Sequence, residues 1–124
     1  MKIEGKIVPG YLKALRGLDQ LPGPNGERYI ELFRHGTLAV ELYAPRVTDP
    51  QHPHKRDEIY VVVSGTGKFR RENDEFSFGP GDVLFVPAGK EHRFIDFSDD
   101  FATWVFFYGP EGGEAAITEQ APQT

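Results

Sequence analysis

The chain has 124 residues, with 14 Lys+Arg against 19 Asp+Glu for a formal charge of −5, and no cysteine. Disulfides, zinc–thiolate sites, iron–sulfur clusters and cysteine nucleophiles are excluded, and an acidic chain without a basic run is poorly suited to a phosphate backbone, so no nucleic-acid partner is expected. One domain fits this length; no apolar run approaches the roughly 18 residues of a membrane span, and Met1–Gly10 lacks the apolar stretch of a signal peptide, so the expectation is a soluble, cytoplasmic protein with no membrane partner.

Residues 1–27 read as an N-terminal arm. Tyr11–Leu18 has room for a helical turn or two, after which Leu21-Pro22-Gly23-Pro24-Asn25-Gly26 forbids regular structure. From Arg28 the pattern changes to short apolar runs between turn formers. Strands are predicted at Tyr29–Arg34, Leu38–Ala44, Glu58–Ser64, Lys68–Arg71, Glu75–Phe78, Val83–Val86, Glu91–Phe97 and Phe101–Tyr108. The turns between them fall at His35-Gly36, Gly65-Thr66-Gly67, Asn73-Asp74, Gly79-Pro80-Gly81 and Pro87-Ala88-Gly89, while a loop with three prolines fills 45–53. The domain is read as 28–110, and 111–124 as a flexible tail. Turn signals every ~8–12 residues and no long helix point to an all-β sandwich or barrel.

Some strands are apolar on both faces. Ile59, Val61 and Val63 oppose Tyr60 and Val62; Thr103, Val105 and Phe107 oppose Trp104, Phe106 and Tyr108. A strand of this kind is covered on both sides. With Glu58 pointing inward, Ile59, Val61 and Val63 form an outward stripe. The expected cover is a second copy, giving a homodimer, to which residues 1–20, including Ile3, Ile7 and Val8, add a strand or arm. The alternative is that those residues fold back over their own sheet.

The stretch that carries chemistry is His52-Pro53-His54-Lys55-Arg56-Asp57-Glu58, with His92 downstream; it holds three of the four histidines. In extended chain His52 and His54 face the same way, and Glu58 keeps the even spacing. Imidazole with carboxylate suits a divalent first-row metal. The competing reading is a solvated His-rich loop.

The flanking spacing bears on that choice. His52-x-His54, three residues, Glu58, six residues and Gly65 form one motif; Gly81, five residues, Pro87-x-Gly89, two residues and His92 form a second. Together they resemble the two motifs of the cupin superfamily, over about Leu38–Tyr108. The resemblance implies a small single-domain double-stranded β-helix, or jelly-roll barrel, with His52, His54, Glu58 and His92 as ligands of a divalent ion (Fe, Mn, Ni or Zn). Arg46 stands where the family has a leading glycine, and Asp96 where it has a closing asparagine.

Tyr60 and Phe94 lie two residues beyond Glu58 and His92 and share the inner face; Tyr43, Trp104 and Phe106 are comparable. These five are candidate pocket-lining residues, with core packing as the first reading and substrate contact the second. His35 is expected to be exposed, Asp57 to point opposite to Glu58, and Lys55 and Arg56 to be rim charges. No Gly-x-Gly-x-x-Gly or Gly-x-Ser-x-Gly motif is present. Gln51–His54 and Val62–Thr66 are also similar to the cupin module of phosphomannose isomerases, but no Arg/Lys cluster serves a sugar phosphate, so that activity is not carried over. The resemblance implies a metal-dependent enzyme, of dioxygenase or isomerase type, acting on a small oxygenated molecule; the alternative is a non-catalytic small-molecule or sugar-binding module. No catalytic residue is assigned beyond the ligands.

Overall fold

Among the described residues, this turn-rich, aromatic sequence gives ten strands and one short helix. They are β1 (Lys2–Ile3), β2 (Lys6–Ile7), α1 (Ala14–Leu18), β3 (Tyr29–His35), β4 (Leu38–Tyr43), β5 (Asp57–Ser64), β6 (Gly67–Arg71), β7 (Asp74–Phe78), β8 (Val83–Val86), β9 (His92–Ile95) and β10 (Ala102–Tyr108). The computed structural model describes residues 10–115, and 2–3 and 6–7 in backbone only, as a paired hairpin. Val8, the side chains of Ile3 and Ile7, and residues 116–124 lie outside the described residues. Among those described, no helix is long and apolar enough to cross a membrane.

β3-β4-β10-β5-β8 form one antiparallel sheet and β7-β6-β9 another. After β5 the chain passes to the smaller sheet for β6 and β7, returns for β8, crosses for β9 and returns for β10. This interleaving makes an all-β jelly-roll barrel. Its core holds Tyr60, Val62, Phe69, Phe78, Val86, Phe94, Phe101 and Val105 from both sheets. Phe101 packs against Phe94 and Phe78 with ring centroids 4.7 and 5.0 Å away. Fully burying each such side chain stabilises the fold by roughly 1.5–3 kcal/mol.

Period-two alternation sets what faces inward. On β5, Glu58, Tyr60 and Val62 are buried, while Ile59, Val61 and Val63 are half-buried on the outer face. On β10, Thr103 and Val105 are buried, and Trp104 and Phe106 turn outward, beside Leu42 and Val61 and beside Val40 and Ile59. α1 covers only part of this outer face. Its Gly17 lies so close that an added Cβ would stand 2.8 Å from Leu42 and 3.0 Å from Leu32. At the opposite corner, Gly65 (φ 85°) ends β5 where a Cβ would meet the Phe101 backbone at 2.6 Å.

Most strand boundaries shift by a residue or two from the sequence reading. The β6–β7 turn is Glu72-Asn73, one residue earlier, with Glu72 at φ 52°. β9 is shorter than expected because Asp96 (φ 50°) turns the chain out of the strand; Asp tolerates that left-handed conformation better than most residues. Beyond β10, the amide of Gly112 donates to the Lys55 carbonyl (2.7 Å) and that of Glu114 to Asp57 Oδ2 (2.8 Å), which holds this stretch against the barrel.

Candidate metal centre

The centre lies between the sheets at one end of the barrel. Glu58 comes from β5, paired with Val86 on one side and Phe107 on the other. His92 opens β9 opposite Arg71. His54 comes from the loop between β4 and β5. Two contacts bring that loop to the turn preceding His92: the Gly89 amide donates to the His54 carbonyl (2.7 Å), and the Ala88 amide to Asp57 Oδ1 (2.9 Å). Asp57 does point away from Glu58, but it is buried and serves as a clamp.

Each of His54, Glu58 and His92 offers a ligand atom within 4.8 Å of the others. His92 Nε2 lies 3.1 Å from Glu58 Oε1, and His54 Nε2 3.7 Å from Oε2. His92 Nδ1 donates to the Lys90 carbonyl (3.0 Å), so in the neutral ring Nε2 carries the lone pair and aims it at the carboxylate. Glu58 is fully buried, and both of its oxygens, like His92 Nε2, lack a hydrogen-bond partner. Buried polar atoms left unpaired cost stability, a buried anion most of all. A cation at their meeting point would satisfy all three, so the donor set fits a divalent metal.

The titration directions agree with this arrangement. Burial pulls His92 downward, but the Glu58 contact and the Lys90 carbonyl prevail and the net shift is upward. His54 is lowered, chiefly by burial, against the pull of Glu58. Its ring stacks edge-on against Phe107 at 4.9 Å.

His52 stays outside the cluster and is exposed. The residues around it are in loop rather than strand, so the same-face rule for i and i+2 does not apply there. Arg46 donates to the carbonyls of Ala44, Pro45 and Phe101, and the left-handed position falls on Val47 (φ 67°) instead.

A cavity of about 510 Å³ opens over the centre, lined by Glu41, Tyr43, Gln51, His52, His54, Glu58 and Phe107, among others. Of the five candidate lining residues, Tyr43 lines it. Tyr60 and Phe94 are buried beneath, Tyr60 with its hydroxyl on Gln51 Oε1 (3.0 Å). Trp104 and Phe106 are on the wrong face: strand alternation sends them to an outer groove with Tyr11, Leu12, Phe33 and Val40, and Val105 and Phe107 take the inner positions. His35 is exposed, and Arg56 is held by the carbonyls of Thr37 and Gly109.

The sequence reading passed over three residues. Asp49 is buried; Oδ1 accepts from the Tyr43 hydroxyl (2.5 Å) and Oδ2 from the Phe94 amide (2.9 Å) and Gln51 Nε2 (2.9 Å). Gln51 Oε1 in turn lies 3.2 Å from His54 Nε2. This chain ties the loop to the core; because an amide oxygen only accepts, His54 Nε2, the nitrogen that faces Glu58, is the donor here and would give up this contact on binding a metal. Glu41 is the third. Its carboxyl is pushed up to about 7, first by burial and then by Glu31 and Glu58. The available signal was a lone acid inside Leu38-Ala39-Val40-Glu41-Leu42-Tyr43, a strand otherwise apolar.

Residues 39–108 match the profile described as Cupin domain. An uncharacterized protein of Streptomyces coelicolor is 37% identical over 105 residues, covering 81% of this chain and 99% of that one. Acireductone dioxygenase 1 of Coprinopsis cinerea is 30% identical over 95 residues, covering 70% of this chain and 52% of the dioxygenase, so the chain spans about half of that relative. Among solved structures, KdgF from a Halomonas species superposes with a TM-score of 0.57 at 20% identity, covering 66% of this chain and 80% of that one.

Proposed function

The chain belongs to the cupin family, and on that premise we propose that it is a metal-dependent enzyme acting on a small oxygenated molecule in the 510 Å³ cavity. The carrying observation is the convergence of three unpartnered buried atoms, Glu58 Oε1 and Oε2 and His92 Nε2. His54, Glu58 and His92 would hold the ion, with His52 on the same loop as the fourth candidate. A bound divalent ion supplies Lewis acidity or, if redox-active, a route for oxygen. The chain's own residues do the rest. Glu58 brings the single negative charge, Lys90 fixes the His92 tautomer, Gln51 ties the loop that carries His54 to Asp49 and Tyr60, and Phe107 and Val105 keep one wall dry. The likeness to an acireductone dioxygenase favours dioxygenase-type chemistry over isomerisation.

Metal analysis of protein purified without a chelating tag tests this reading. The expected result is a stoichiometric Fe, Mn, Ni or Zn ion, lost in His92→Ala. A protein that takes up none of these ions would overturn it, and an ion bound without oxygen uptake would move the reading to an isomerase or a binding module.

We also propose a homodimer through the outer face of the five-stranded sheet. Ile59, Val61, Val63, Trp104 and Phe106 lie there half-buried, and Val83 is 65% exposed. A contiguous apolar face of this kind marks an interface. We further propose a cytoplasmic location for the protein.

A further inference from the structure

Apart from its imidazoles, the cavity over the metal centre is lined by ionisable side chains of one sign. Among the described residues, Glu41 and Glu58 line it, and no lysine or arginine does. Glu58 is committed to the cluster. Glu41 is not. It sits on β4 between Val105 of β10 and Glu31 of β3, half-buried, and no side-chain hydrogen bond or ion pair reaches its carboxylate among the described residues. Of the three cations that share the outer vestibule with Glu41, two are committed elsewhere, and the third, Lys55, is exposed and makes no ion pair with Glu41. Arg34 gives Nε and Nη2 to Glu31 (3.2 and 2.5 Å), and Arg56 is spent on backbone carbonyls. The Tyr43 hydroxyl, on the same wall, is donated to Asp49.

A half-buried acid with no donor does nothing for the fold, since leaving such a group unpaired costs stability. What it does have is a view of the cavity. An adjoining space of about 300 Å³, which shares Gln51, His52 and Pro53 with this cavity, carries both signs of charge: Arg70 and Arg93, opposed across β6 and β9, with Glu72 and Glu91.

We propose that Glu41 is a specificity-determining residue that touches the bound ligand: it accepts a hydrogen bond from an uncharged, hydroxyl-bearing small molecule held at the metal, and its negative charge excludes ligands whose far end is a carboxylate or phosphate. This rests on the metal-centre reading. Val105 and Phe107 contact the apolar part of such a ligand, and a cavity of this size accommodates a single substituted ring.

The test is a charge cycle on isosteric partners. The protein is loaded with zinc, and 3,4-dihydroxybenzamide and 3,4-dihydroxybenzoate are titrated calorimetrically at pH 8. The two probes share a chelating diol and nearly the same volume and differ by one negative charge. The wild type should bind the amide about tenfold more tightly than the acid, as expected for two like charges in a partly desolvated cavity. Glu41→Gln should keep its zinc and bind the two probes within about twofold of each other. Glu41→Ala, tested beside it, should lose the preference as well, so that a folding defect in one variant does not decide the matter. A wild type that binds both probes equally, or binds neither while holding zinc, overturns the role of Glu41 and leaves the metal centre standing. An unchanged preference in both variants does the same. A wild type that takes up no zinc is loaded with manganese or nickel instead, and one that takes up no iron, manganese, nickel or zinc overturns both.

Discussion

On its inner face the five-stranded sheet carries Glu41, Glu58, Tyr60 and Thr103; on its outer face it carries Ile59, Val61, Trp104, Phe106 and Val83. A β-domain that needed only to fold would place these sets the other way round. The inner face accepts a buried anion and a second half-buried acid, each a cost to stability. The outer face gives up the polar residues that would keep a lone sheet in water. Under the functions proposed above, the inversion would separate two tasks, binding on the inside and association on the outside.

The largest expected effect is on the outside. Val61→Asp places a charge in the centre of the proposed interface, where burying it without a partner costs roughly 3–5 kcal/mol. Light scattering should show about twice the 14.0 kDa chain mass for the wild type and the single-chain mass for the variant. A wild type at single-chain mass ends the dimer proposal.

Next come changes inside. His92→Ala removes a ligand whose tautomer is already fixed, and metal affinity should fall by more than about a hundredfold; His35→Ala, on the exposed end of β3, should leave it unchanged. Equal losses in the two variants would break the assignment. Gln51→Ala leaves the ligands in place and removes an acceptor that competes with the metal for His54 Nε2, so affinity should change by less than about tenfold, far less than in His92→Ala. Competition with a chromogenic chelator measures all three.

The smallest effect concerns Glu41. Its folded-state value is raised to about 7 from 4.5, chiefly by burial, so the neutral form suits the fold better. Stability from this group is present in full below about pH 4.5 and is lost as pH rises through 7. After discounting for partial exposure, the loss is on the order of 1–2 kcal/mol. Urea titrations of metal-free protein at pH 5 and pH 8 should show Glu41→Gln losing less stability than the wild type over that interval. Equal losses would mean that the carboxylate is already ionised without penalty.

How far these features could be read in advance depends on the range of the interactions that make them. The parity of β5 was legible because Glu58, Tyr60 and Val62 alternate strictly with Ile59, Val61 and Val63. The meeting of His54, Glu58 and His92 was legible through the resemblance of two spaced motifs to the cupin pattern, which implied these three with His52 and which the turn glycines and Pro87 fit. Trp104 and Phe106 were misplaced because a strand apolar on both faces does not say which face is the core; only its register against Val61 and Ile59 does. His52 was grouped with His54 by a rule for extended chain, and the loop around Pro53 is not extended strand. Asp49 was invisible because its partners, the Tyr43 hydroxyl and the Phe94 amide, are distant in sequence and meet it only after both sheets have closed.

The two oxygens of Asp57 tie the start of β5 to the amides of Ala88 and Glu114, and Lys55 is held by Gly112. The loop that delivers His54 is therefore pinned by residues made long after it. A nascent chain halted at Tyr108 would contain every ligand residue and every barrel strand, yet lack two of the clasps that hold this loop in register. Metal capture should thus lag behind synthesis, with the centre locking only once the last of these residues has left the ribosome.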